Sequence, residues 1–102
     1  MKDWTFLTNH GHALLCIASD PTVRLKDVAH AVGITERAAQ RIVSDLIANG
    51  YLSVAKEGRR NRYRVDPDRH FRHPVEKPNQ IGQLLKLLGA KPRRGTPRRY
   101  RL

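Results

Sequence analysis

The sequence predicts a small α+β domain that is mainly α: three helices, a β-hairpin, a short C-terminal helix and a basic tail. Apolar residues before residue 50 recur at three- and four-residue spacing in separate segments, as in helices that bury one face. Arg62, Tyr63, Arg64 and Val65 alternate strictly between charged and apolar after a glycine-containing turn, as in a half-buried strand. The length of 102 residues suits one core and leaves little room for a second.

The first helix is expected over about 8–19. Thr8 or Asn9 supplies the N-cap, Leu14, Leu15 and Ile17 the buried face, and Asp20-Pro21 the stop. Residues 21–25 are too short for a helix and leave room for a brief strand. A second helix over about 26–32 sets Val28, Ala29 and Val32 on one face and ends at Gly33, which tolerates a left-handed backbone. Thr35 caps the third helix, over about 35–49, with Glu36 in the first turn, where the helix dipole favours an acid. Ala39, Ile42, Val43, Leu46 and Ile47 recur along it at helical spacing, and Asn49-Gly50 closes it.

Residues 51–56 read as a strand, 57–61 as the turn and 62–65 as the returning strand. Tyr63 and Val65 then face the core, with Arg62 and Arg64 outward. Proline and charge mark 66–80 as a surface connection. Residues 81–88 read as a short final helix ending at Gly89, and 90–102 have the composition of a flexible basic arm. The chain thus divides into a body over 1–66, a connecting loop over 67–80, a helical segment over 81–89 and a tail over 90–102. There are no internal repeats.

Twenty Lys and Arg stand against nine Asp and Glu, a formal charge of +11. No acid follows Glu76, while Lys91, Arg93, Arg94, Arg98, Arg99 and Arg101 crowd the end; without these six the remainder still carries about +5. The basic character therefore belongs to the body as well as the tail. Cations gain affinity for phosphates by displacing condensed counterions, so a polyanionic partner is implied. A solubilising excess or an anionic membrane surface would produce the same composition.

No apolar run is long enough to span a membrane. The charged start, Met1-Lys2-Asp3-Trp4, leads into a polar segment, so no secretory leader is expected. The single cysteine, Cys16, lies in the apolar run 13–18 and reads as a buried structural thiol in a reducing compartment, by default the cytoplasm.

Between Leu25 and Leu46 the spacing is that of two closely crossing helices joined by a tight turn. Ala29 stands where the helices meet, Gly33 lies four residues on at the turn, and Val28, Val32, Ile34, Ala39 and Ile42 lock the pair. An arginine-rich hairpin follows at once. The stretch from His12 to Val65 resembles the winged helix-turn-helix of bacterial and archaeal transcriptional regulators of the MarR and ArsR type. Residues 34–41, then Leu46 and Gly50-Tyr51-Leu52, resemble the recognition helix of that family and its entry into the wing. Leu25-Lys26-Asp27-Val28-Ala29 resembles its second-helix segment. The likeness covers a little over half the chain. The chain lacks the long dimerising helices of MarR proteins, and its lone cysteine provides no ArsR-type cysteine metal sensor.

The resemblance implies double-stranded DNA as partner, with the third helix in the major groove. Its outward positions are Thr35, Glu36, Arg37, Gln40, Arg41 and Ser44. Arg37 and Gln40 are expected to contact bases, since arginine pairs bidentately with guanine and glutamine with adenine. Arg41 and Ser44 suit phosphate, as does Thr35 beside the helix N-terminus. Glu36 and Ser44 stand equally open to contact or to solvent. The wing spans 56–64: Lys56 begins it, Arg59 and Arg60 at its tip suit a minor groove, and Arg62 and Arg64 suit the backbone. The tail serves either an adjacent minor groove or a non-specific polyanion anchor.

Ile81, Leu84, Leu85 and Leu88 form a helical stripe. Such a stripe most often covers the chain's own core. Regulators of the resembled type nevertheless pair through their terminal helices, so a homodimer is expected through these four residues and Trp4, Phe6 and Leu7. His10 and His12, and His70 and His73 at H-x-x-H spacing, lack the converging ligands a metal needs. No metal, cofactor or catalysis is expected, and an effector is not legible. The expectation is a DNA-binding transcriptional regulator. The alternatives are a non-specific nucleoid or RNA-binding protein and a winged-helix protein-interaction module.

Overall fold

A computed structural model describes residues 4–89. Four helices and one antiparallel hairpin follow in the order α1 (Asn9–Ser19), α2 (Leu25–Val32), α3 (Glu36–Ala48), β1 (Leu52–Glu57), β2 (Arg60–Val65) and α4 (Ile81–Leu87). The basic tail at 90–102 and the charged start at 1–3 lie outside the described residues.

The first helix is the central element, with every residue from Ala13 to Ser19 buried. Thr8 caps it, its hydroxyl oxygen accepting from the Gly11 amide at 3.4 Å. The Asp20 carboxylate then accepts from the amide and the hydroxyl of Thr22, at 3.4 and 3.3 Å, and turns the chain. Helix α2 begins directly at Leu25, so the brief strand for which residues 21–25 left room does not form. The segment touches the hairpin instead through one backbone bond, from the Tyr63 amide to the Pro21 carbonyl at 2.8 Å.

Helices α2 and α3 pack on each other and both pack on α1. The turn between them depends on Gly33, which adopts a φ of 86° and donates to the Ala29 carbonyl at 2.8 Å. Thr35 caps α3, accepting from the Ala38 amide at 3.0 Å. Ala39, Ile42, Val43 and Leu46 enter the core. Ile47, expected there too, is 37% exposed, because its angular position lies beyond the edge of the buried arc.

In the hairpin Leu52 pairs with Val65, Val54 with Tyr63 and Glu57 with Arg60. Its turn is tighter than the expected 57–61, with only Gly58 and Arg59 outside the strands. Gly58 has a φ of 67° and, among the described residues, no non-glycine has positive φ, the sign pattern of the type II′ turn that suits strand twist. Tyr63 is buried and Val65 half-buried, and Arg62 and Arg64 are exposed, as the alternation predicts.

The connection after β2 is anchored to the body. The Tyr51 hydroxyl donates to the His70 carbonyl at 2.6 Å, Arg69 Nε donates to the Asn49 carbonyl at 3.1 Å, and Phe71 packs on the core. Helix α4 then inserts Ile81 and Leu85 into the same core. These two residues are therefore closed off inside the chain and are unavailable to a second copy, contrary to the expected pairing surface.

Candidate nucleic-acid interface

At about 100° per residue, Arg37, Gln40, Arg41 and Ser44 fall on one arc of α3, roughly opposite the arc of Ile42, Leu46, Ala39 and Val43. All four are exposed. The helix can therefore present them outward only because its other face is locked against α1 and α2. Thr35 and Glu36 are exposed at the N-terminal end, where the Thr35 hydroxyl oxygen is engaged in capping. Asp45, beyond Arg41, is held by His10, with Nε2 and Oδ2 2.8 Å apart. Both side chains are about half exposed, so the pair adds little stability. It does hold an acid at the edge of the basic arc.

Helix and hairpin differ in charge. Helix α3 carries Glu36 and Asp45 against Arg37 and Arg41, whereas residues 56–64 carry five cations against the single Glu57. The hairpin is continuous with the helix, because the Tyr51 amide donates to the Leu46 carbonyl at 2.9 Å in the turn between them.

Side chains alternate across a strand, so the register sorts the hairpin cations. Arg60, Arg62 and Arg64, paired with Glu57, Ala55 and Ser53, share one face. Lys56, paired with Asn61, falls on the other, with Val54 and Tyr63. Small partners opposite Arg62 and Arg64 leave those guanidinium groups uncovered. Arg62 Nη1 lies 3.5 Å from a Glu57 carboxylate oxygen, a solvent-screened contact. Arg59 occupies the turn itself and is exposed.

Arg60 departs from its expected place. Its Nη2 and Nε donate to the Thr22 carbonyl at 2.8 and 3.3 Å, drawing the side chain back along the edge of β2. The two residues are 38 apart in sequence, and no local pattern marks Thr22 as a partner.

His70 and His73 are taken up locally. His70 Nδ1 lies 2.7 Å from the Lys77 carbonyl oxygen, and His73 Nδ1 accepts from the Val75 amide at 3.1 Å. Among the described residues no group of three or more His, Cys, Asp or Glu is placed to hold a metal, and no helix is long and apolar enough to cross a membrane. Cys16 is buried, and that burial pushes its thiol up from 9.0 to about 11.

Trp4 and Phe6 stand in solvent at 76% and 91% exposure and stack edge to face, with ring centroids 4.9 Å apart. Leu7 packs partly on the core. Leu84 is half-buried, and Leu87 and Leu88 are exposed. Phe6, Leu7 and Leu84 border an open groove of about 500 Å³ floored by Leu14, Leu46 and Ile81. Neither a protein-family model nor a curated protein sequence matches the chain.

Proposed function

We propose that this chain is a winged helix-turn-helix protein that binds duplex DNA as a transcriptional regulator, with α3 in the major groove and the hairpin on the adjacent backbone and minor groove. The observation that carries this reading is the outward arc of Arg37, Gln40, Arg41 and Ser44, on a helix whose opposite face is locked in the core. Arg37 and Gln40 read base edges, and Arg41 and Ser44 grip phosphate beside them. The hairpin, with its excess of arginine, supplies charge without sequence choice. Likeness to MarR- and ArsR-type regulators supports the same assignment.

Two copies bind together on this reading. The pairing surface is narrower than the sequence suggests: Trp4, Phe6, Leu7, Leu84 and Leu88 remain candidates, joined by Leu87 at 79% exposure. Ile81 and Leu85 drop out.

Selection from a randomised duplex library, followed by titration of enriched and scrambled duplexes across a salt series, tests the function. Enrichment of one short sequence, bound roughly 10³-fold or more above scrambled duplex, is the expected result. Equal binding to all sequences would replace it with a non-specific nucleoid or RNA-binding role, which the charge of +11 favours as the second reading. Failure to bind either nucleic acid would leave a protein-interaction module.

A further inference from the structure

We infer that Arg60 is not a nucleic-acid contact but a strut that fixes the pose of the hairpin, leaving Arg59 as the cation at its tip. The inference deepens the duplex-binding reading and rests on it for the role of Arg59. The strut itself is a property of the free protein.

A two-stranded hairpin is marginal on its own and holds a direction only if something braces it. Here the base is braced by Tyr51, Leu52 and Tyr63, which are buried. Further out the support thins, with Val54 already 43% exposed and every residue from Ser53 to Arg62 exposed. Among the described residues three hydrogen bonds tie β2 to the turn after α1, one at the base and two at the outer end. The Tyr63 amide donates to Pro21, and the Arg60 guanidinium donates twice to the next carbonyl, that of Thr22. Arg60 is the first residue of β2, so its bond falls at the far end of the strand.

The acceptor is itself held in place. The Asp20 carboxylate takes the Thr22 amide and hydroxyl, so the Thr22 carbonyl sits on an ordered turn. Glu57, the cross-strand partner of Arg60, is engaged with Arg62 instead. Arg60 is thus directed to a neutral carbonyl while an acid stands opposite it, which fits a geometric role better than a charge-pairing one. A guanidinium fork can give two N–H groups to one oxygen at a fixed angle, and an ammonium cannot reproduce that geometry.

Arg60→Ala, Arg60→Lys and Arg59→Ala in the full chain separate strut from contact. Two measurements are needed: amide hydrogen exchange at Tyr63 and along β2 in the free protein, and the salt dependence of duplex binding. Loss of the strut speeds exchange at Tyr63 by about tenfold or more in both Arg60 variants, because lysine restores the charge but not the fork. Duplex affinity falls on all sequences alike, while the slope of log K against log salt stays at the wild-type value. Arg59→Ala does the reverse, lowering the slope by about 1 with exchange unchanged.

A slope reduced by about 1 in Arg60→Ala and restored in Arg60→Lys would show that Arg60 touches phosphate and would overturn the inference. Unchanged exchange at Tyr63 in both Arg60 variants would overturn it as well. If the wild-type chain binds no duplex, the DNA reading fails while the exchange experiment still decides whether Arg60 braces the hairpin.

Discussion

On the proposed duplex-binding reading, sequence choice depends on Arg37 and Gln40. Replacing either with alanine should relax preference at one base position and weaken the selected duplex by about 1–3 kcal/mol, leaving scrambled duplex less affected. Quantitative binding to a set of single-base variants checks this, and a uniform loss would reassign both residues to the backbone. Cys16 makes a separate prediction, about stability. Its thiol is raised from 9.0 to about 11 in the folded chain, so the native state holds the proton more tightly than the unfolded state does. The resulting stability is complete below the unfolded value and is lost as pH rises through the folded one. Wild type should therefore lose up to about 3 kcal/mol more than Cys16→Ala between those two pH values. Urea unfolding of both proteins across that range reads the difference, and parallel curves would show that burial of the thiol proton is not felt.

Among the elements, the α2–α3 turn sets how α3 is presented. Gly33 lies at a φ of 86° with nothing within 4 Å of where a Cβ would project, so Gly33→Ala should cost backbone strain alone, about 1–2 kcal/mol. Thr35→Ala removes the cap on the first turn of α3 and should cost about 0.5–2 kcal/mol, with Thr35→Ser close to wild type. Denaturant midpoints check both. Fraying at the same end loosens Arg37, so Thr35→Ala should also weaken selected duplex more than scrambled. The connection after β2 has its own test. Tyr51→Phe deletes the bond to the His70 carbonyl and should destabilise by about 0.5–1.5 kcal/mol, with faster exchange in residues 66–80 as the local sign.

At the scale of the whole molecule, the proposed reading asks a short helix for useful specificity. Arg37 to Ser44 spans about 10 Å along α3, roughly three base-pair steps, and one such reading is too brief to define a site. A second copy doubles it and calls for two half-sites related by the two-fold. Sedimentation equilibrium of the wild type and of a Phe6→Ser, Leu87→Ser double variant tests the pairing. Dimer at micromolar concentration that falls to monomer in the variant is expected, and a monomeric wild type would refute the pairing. Deleting residues 90–102 removes six cations and should lower the salt slope and the affinity for every duplex while leaving base preference intact.

The sequence alone determined whatever depends on neighbours along the chain. The helix spacing of Ile42 and Leu46, the cap at Thr35, the left-handed Gly33 and the alternation around Tyr63 are local, and each appears in the folded chain where the pattern placed it. Which residues of a stripe point inward was legible only in part, because periodicity identifies an apolar arc without its width. Ile47 lies just outside that arc, while Ile81 and Leu85, read as a pairing surface, complete the core. Tertiary structure alone decided the place of Arg60. In sequence Arg59 and Arg60 look equivalent, two neighbouring cations at one tip. Only folding brings the Thr22 carbonyl beside Arg60 and sets Arg59 apart at the tip, because a bond between residues 38 apart leaves no trace in local pattern.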